Sequence, residues 1–214
     1  MSALEAAELA GWIAPGRCAL VIVDMQADFA DPGGALGRAG VDVTPAAPAL
    51  DQARRLARAA RRSGVAVVFV GLGTNAATDS AVWAERERRL ADGASEPLCR
   101  IGLPGAAFVG PLPQAGELVI EKTRYSGFHG TDLGRRLQGL GVDTLVICGL
   151  TTECCVDATA RDAYQHDFHV FVAADACAAY DADLHRAALR GMALNCAIVT
   201  STNVIVEAWR ISGR

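Results

Sequence analysis

Apolar and polar positions along the chain follow two periods. Six short apolar runs, Cys18 to Val23, Val65 to Val70, Leu118 to Glu121, Thr144 to Cys148, Val170 to Ala173 and Ala197 to Thr200, have the length and β-branched content of strands buried on both faces. Between most of them lie stretches of helical periodicity: Ala46 to Ser63 with an arginine-bearing outer face, Thr131 to Leu140, Glu153 to Gln165 and Asp183 to Leu194, with Asn203 to Ile211 closing the chain. This alternation predicts an α/β fold, a three-layer α/β/α sandwich around a six-stranded, mainly parallel sheet, in a single domain over residues 1–214. Residues 27–45 and 71–116 interrupt the pattern with glycine, proline and charge, and loops of that length are usually functional. The second carries Trp83, Leu90, Leu98, Ile101, Phe108 and Val109, more apolar material than a solvated loop needs. It is expected to cover a pocket or to pack on a second subunit, with Trp83 foremost.

Composition narrows the chemistry. A formal charge of -4 and a pI near 5.6 argue against nucleic acid and anionic membranes as partners, leaving a small molecule. The stretch from Ser2 to Ala10 carries acids and lacks the basic start of a signal peptide, and no apolar run reaches the roughly 18 residues of a membrane helix. A cytoplasmic location is expected. The seven cysteines, scattered through apolar runs, do not resemble a disulfide framework.

Three of the apolar runs end in reactive residue types. Asp24 closes the first, and a carboxylate there is costly to keep charged without a partner; it reads equally as an acid/base and as a turn cap. Asp28 and Asp31 read as solvated loop acids. Lys122 closes the third run. A lone lysine after a strand is more often solvated, but an acid is expected at the same sheet edge. The fourth run leads through Gly149-Leu150-Thr151-Thr152-Glu153 to Cys154 and Cys155 at a helix start, where free amides and the helix dipole lower a thiol pKa and can hold an oxyanion. Spacing alone leaves either sulfur as nucleophile, and the remaining cysteines read as core. Arg124 is a candidate for an anionic group, and Tyr125 and Phe128 read as pocket wall or as packing. A histidine base is the alternative, with His129 the one placed to reach a pocket and His166, His169 and His185 without a clear claim. No metal-ligand spacing and no phosphate loop occurs, so no cofactor is expected.

Four ordered motifs carry a resemblance: Val21-Ile22-Val23-Asp24-Met25-Gln26, Lys122-Thr123-Arg124-Tyr125-Ser126-Gly127-Phe128, Gly149-Leu150-Thr151-Thr152-Glu153-Cys154-Cys155-Val156 and Thr159-Ala160-Arg161-Asp162-Ala163. The chain resembles the cysteine hydrolases of the isochorismatase-like superfamily over nearly its whole length. The resemblance implies that superfamily's fold and a catalytic triad of Asp24, Lys122 and Cys155. It also implies a cis peptide between Leu150 and Thr151 that turns the Thr151 and Cys155 amides toward one oxyanion. The nicotinamidase branch has an Asp-x-His metal loop after the second strand, whereas Val70 here is followed by Gly71-Leu72-Gly73-Thr74-Asn75 with no histidine before His129. Isochorismatases need no cysteine at this place, so Cys155 points to amide chemistry. The Lys122 motif and Gly33-Gly34 resemble the ureidoacrylate hydrolases, and Thr151-Thr152-Glu153 the biuret and carbamoylsarcosine hydrolases. The function implied is a metal-independent amidohydrolase that cleaves a small linear amide of carbamoyl or ureido type through an acyl-enzyme and releases ammonia. Phe29, Trp83, Arg124, Tyr125 and Phe128 would line its substrate pocket. The alternatives are a nicotinamidase-like activity, another amide hydrolase of the superfamily, or a non-catalytic binding relative. The resemblance further implies a homodimer or homotetramer.

Overall fold

Buried apolar strands with short helical crossovers leave a chain few arrangements other than a parallel sheet covered on both faces. The computed structural model, which describes residues 5–90 and 97–213, has that form. Ser2 to Leu4, the Leu90 side chain and residues 91–96 of the long second interruption lie outside the described residues. The first half runs α1 (Ala6–Trp12), β1 (Cys18–Val23), α2 (Ala27–Ala30), α3 (Ala35–Arg38), α4 (Ala46–Ser63), β2 (Ala66–Leu72), α5 (Ala81–Leu90) and β3 (Leu118–Lys122). The second runs α6 (Leu133–Gly139), β4 (Thr144–Leu150), α7 (Asp157–Gln165), β5 (His169–Ala178), α8 (Ala182–Asn195), β6 (Ile198–Thr200) and α9 (Thr202–Ser212).

The strand order is β3-β2-β1-β4-β5-β6, and every pairing is parallel rather than mainly so. From β1 the chain first builds outward through β2 to β3, then returns to lay β4 on the other side of β1. The carboxyl ends of β1 and β4 therefore flank a topological switch point, where open α/β sheets form a crevice. Register places Val23 opposite both Val70 and Gly149, so the residues that follow β1, β2 and β4 emerge at one level.

Packing follows from residue spacing. On α4, Ala46, Ala49, Leu50, Ala53, Leu56, Ala57 and Ala60 are buried, a stripe at helical period, and Gly64 ends the helix in the left-handed region. Helices α1, α4 and α9 pack together on one side, and α7 and α8 pack against each other and the strands on the opposite side. Strand β5 runs five residues past its expected end at Ala173, through Asp175. That residue is exposed, and its carboxylate accepts the Thr202 amide at 2.7 Å and hydroxyl at 2.9 Å, tying β5 to the start of α9. At the switch point Gly149 has φ +143°, and a Cβ there would lie 2.0 Å from the Val23 carbonyl oxygen, so β1 and β4 approach this closely only over glycine. No helix among the described residues is long and apolar enough to cross a membrane.

The first interruption holds a correction. Asp28, expected as a solvated acid, is only 5% exposed, whereas Asp31 is exposed as expected. Its carboxylate accepts the Ala35 amide at 2.9 Å and the Cys99 amide at 2.7 Å, tying the two irregular segments together. Neither amide has a sheet partner to turn to, so a buried carboxylate is the acceptor that lets both segments fold inward. A Cβ on Gly105 would stand 2.2 Å from this carboxylate. Replacing Asp28 with alanine leaves both amides unpaired and is expected to cost about 2–4 kcal/mol, read from the shift in urea unfolding midpoint; a change within experimental scatter would return Asp28 to the surface.

Candidate active site

The ends of β1, β3 and β4 each lead to one side chain at the crevice. Asp24 follows β1 directly, with φ +49° and its amide bonded to the Val70 carbonyl at 2.8 Å. Gln26, quoted above only as part of a motif, holds this turn in place. Its Nε2 donates to the Leu72 carbonyl at 2.9 Å and the Ala106 carbonyl at 2.8 Å, and its Oε1 accepts the Leu72 amide at 2.8 Å. The left-handed backbone at Asp24 is thus clamped from both sides, and its side chain is turned into the site.

Lys122 ends β3, and its side chain, like that of Asp24, has no solvent exposure. Nζ lies 2.7 Å from Asp24 Oδ2, donates to the Arg124 carbonyl at 2.9 Å and reaches Cys155 Sγ at 3.5 Å. Lys122 is therefore a buried, paired lysine rather than a solvated strand end. Cys155 sits in a π-helical turn, Thr152–Val156, that leads into α7, and it is 7% exposed. The Thr151 carbonyl accepts from the Cys154 and Val156 amides at 3.1 Å each. The Leu150–Thr151 peptide is cis. Thr152 is fully buried, and its hydroxyl meets His185 Nδ1 from α8 at 2.8 Å.

Burial and the three charges set the protonation states together. Burial pushes the Asp24 carboxyl up from its ordinary 3.8, against the pull of the Lys122 ammonium. For Lys122 burial pulls downward, but the Asp24 carboxylate and the Cys155 sulfur outweigh it and the ammonium is held above 10.5. The Cys155 thiol is well above its ordinary 9.0, raised by its hydrogen bond with Cys154, by burial and by the Asp24 charge. This corrects the expectation that the helix start lowers it. The amides and dipole are present, but the Cys154 sulfur, burial and the Asp24 charge together outweigh them and the Lys122 cation. Cys155 rests protonated beside a carboxylate whose proton affinity has been raised.

Lys122 and Cys155 lie at the floor of a cavity of about 1220 Å³, and Asp24 is enclosed beside them, bonded to Lys122. Of the expected wall residues, Phe29, Trp83, Arg124 and Tyr125 line it. Phe128 does not: it is buried, stacked on His166 with ring centroids 5.1 Å apart and tilted against Phe168 at 5.9 Å. The two residues before it turn the chain into the core, since Ser126 and Gly127 are themselves buried and the Gly127 amide donates to Thr159 of α7 at 3.0 Å. His129 is exposed and lines no part of the cavity. The long second interruption divides. Trp83 and Leu98 face the cavity, while Phe108 packs edge-on against Phe69 of the sheet. Glu153, Tyr180 and Cys154 also line the cavity. Tyr180 carried no motif and arrives from beyond β5, so only the fold could have found it. Five arginines, Arg38, Arg86, Arg88, Arg100 and Arg124, against Asp79 and Glu153 give the wall a positive balance.

Comparison with known proteins agrees with the family resemblance and with this fold. Residues 18–204 match the model of the isochorismatase domain. The ureidoacrylate amidohydrolase RutB of Methylobacterium radiotolerans is 37% identical over 187 residues, spanning 82% of this chain and 72% of that protein. Among solved structures, a cysteine hydrolase from Pseudomonas syringae pv. phaseolicola 1448A superimposes with a TM-score of 0.83 at 28% identity, over 94% of this chain and 95% of that one. The N-carbamoylsarcosine amidase of Thermoplasma acidophilum superimposes with a TM-score of 0.68 at 30% identity, over 87% and 97%.

Removing the buried ammonium tests the site's electrostatics without any substrate. Lys122→Met leaves the Asp24 carboxyl uncompensated, and the expected loss of stability is about 3–5 kcal/mol in denaturant unfolding near neutral pH. Alkylation of Cys155 by iodoacetamide, followed by mass spectrometry, is expected to slow in the same variant, because a carboxyl pushed further up takes less part in deprotonating the thiol. Wild-type values in both measurements would make the ion pair incidental.

Proposed function

The chain belongs to the isochorismatase-domain family, and from that premise we propose that it is a metal-independent cysteine amidohydrolase acting on a small linear amide of carbamoyl or ureido type. Hydrolysis of a non-peptide carbon–nitrogen bond is the activity its amidohydrolase relatives share. The observation that carries the finer reading is the buried Lys122 ammonium, 2.7 Å from Asp24 and 3.5 Å from the Cys155 sulfur, on the floor of a cavity large enough for such a molecule.

In this reading Asp24 takes the proton of Cys155 as the thiolate attacks the substrate carbonyl, and Lys122 steadies both anions. The amides of Thr151 and Cys155 hold the oxyanion. Collapse of the tetrahedral species expels the amine, which takes the proton from Asp24 and leaves as ammonia from a primary amide. Water, giving its proton to the freed Asp24 carboxylate, then attacks the thioester, and the released thiolate is reprotonated. The raised proton affinities of Asp24 and Cys155 support this order, in which charge separates only once a substrate carbonyl is in place. The positive balance of the wall favours a substrate that carries a carboxylate, as ureido acids do.

The metal loop of the nicotinamidase branch finds no counterpart in the residues present. Gly73, Thr74 and Asn75 follow β2, and among the described residues no three of histidine, cysteine, aspartate and glutamate gather as a ligand set. The reading also carries a homodimer or homotetramer, for which the exposed Ile101 and Leu103 of the long second interruption offer apolar surface.

Ammonia release over a panel of linear amides, carbamoyl compounds and ureido acids tests the activity; no turnover of any member would refute it. With the best substrate, Cys155→Ala is expected to lose at least about a thousandfold in kcat/KM, the scale on which removal of a nucleophile acts, while Cys154→Ala stays within about tenfold of the wild type. An active Cys155→Ala protein would move the nucleophile elsewhere. Chelators are expected to leave turnover unchanged and nicotinamide to be hydrolysed poorly. Stoichiometric metal by elemental analysis, with activity lost on its removal, would reverse the assignment of branch.

A further inference from the structure

One cavity-lining acid has no part in the chemistry described so far. Glu153 stands two residues before Cys155, on the same π-helical turn. Its Oε1 accepts the Thr151 hydroxyl at 2.8 Å, which fixes the plane of the carboxylate beside the cis peptide. Its Oε2 is buried and has no hydrogen-bond partner among the described residues. An acceptor left bare inside a protein is costly, and a carboxylate oxygen more so. The donors around it are committed elsewhere. The Tyr180 hydroxyl donates to the Phe29 carbonyl at 2.7 Å, Thr152 is engaged with His185, and the Lys122 ammonium serves Asp24, Arg124 and Cys155.

Resting on the amidohydrolase reading above, we propose that Glu153 is the residue that selects for nitrogen: its Oε2 accepts an N–H of the substrate's scissile carbamoyl or ureido group. The complement this oxygen lacks is a donor delivered from the cavity, and an amide N–H is the donor that such a substrate brings to within reach of the nucleophile. A substrate whose scissile nitrogen carries no hydrogen, or an ester with oxygen in its place, would seat a lone pair or an alkyl group against this buried carboxylate oxygen. Glu153 therefore separates amides that keep an N–H from those that do not, and Thr151 holds it at the correct angle.

An isomeric pair measures this on the wild-type protein. The best carbamoyl or ureido substrate is prepared with its scissile nitrogen N-ethylated, which keeps one N–H, or N,N-dimethylated, which keeps none, and amine release is followed for both. The N-ethyl compound is expected to have the higher kcat/KM by about ten- to a hundredfold, the range of one hydrogen bond to a charged group. In Glu153→Gln the side chain keeps its length, and its carbonyl can still accept from Thr151, but an NH2 replaces the free acceptor. The ratio is then expected to fall to near one. Equal handling of the two isomers by the wild type overturns the inference and leaves the amidohydrolase reading standing, as does a ratio that survives in Glu153→Gln. If that variant does not fold, the wild-type ratio decides alone. Failure of the wild type to hydrolyse any amide overturns both.

Discussion

The Asp24–Lys122 pair is the constraint around which the rest of the crevice is arranged. Two opposite charges, both fully enclosed, sit 2.7 Å apart at the carboxyl edge of the sheet. Removing both from water costs several kcal/mol per ion even after relaxation, and apolar residues of the same volume would often be more stable there. The pair is therefore poor value as a stabilising device, and its placement against the Cys155 sulfur gives it another use. The ammonium keeps an anion tolerable in an apolar pocket, first on the carboxyl and then on the thiolate. Neither anion alone would be supported by the surrounding valines, isoleucines and leucines.

Holding that pair requires the fold to bring three distant segments to one point within tenths of an ångström. Parallel strands do this because their ends stay level when the register is fixed; in β1, β2 and β4 it is fixed by apolar faces buried on both sides, and the edge strand β3 pairs in register with β2. The return crossing from β3 to β4 opens a crevice between β1 and β4, and Gly149 lets those strands close up beneath it. The Gln26 amide, bonded three ways to Leu72 and Ala106, then sets the left-handed turn from which Asp24 projects. Polar groups placed in this way carry more of the positioning than their small number suggests, since a buried amide that loses its partner has no solvent to replace it.

Around the floor the cavity is chemically divided. Arginines predominate on its walls, while near the thiol Glu153 lines the cavity from the turn that carries Cys155, and the enclosed Asp24 acts on the sulfur from beneath. Such an arrangement orients a molecule with an anionic tail and a neutral, hydrogen-donating head. Orientation of that kind lowers the entropic part of the barrier, because the carbonyl is presented to the sulfur without further search. Trp83 and Leu98 add apolar walls from the long second interruption, and Phe108 of the same segment packs edge-on against Phe69 of the sheet.

How much of this was legible beforehand depended on whether a residue's role was local. Continuous Val/Ile/Leu runs identify parallel strands because both faces are buried, so the six strands, most helices and the polar residues closing β1, β3 and the β4 turn could be read from spacing and motif. Ala46–Ser63 was delimited to the residue by its periodicity and its terminal glycine. Roles set by distant partners were not legible. Asp28 looks solvated until the Ala35 and Cys99 amides arrive, and Phe128 looks like pocket wall until the chain turns it onto Phe168. The thiol's resting state inverted for the same reason: a helix start acts locally to lower a pKa, but burial, Cys154 and Asp24 act through space and are stronger at contact distance. Sequence alone determined which chemical groups were available and at which strand ends they emerge. The tertiary structure decided which of them are buried together, because desolvation and pairing energies depend on distances that no local pattern encodes.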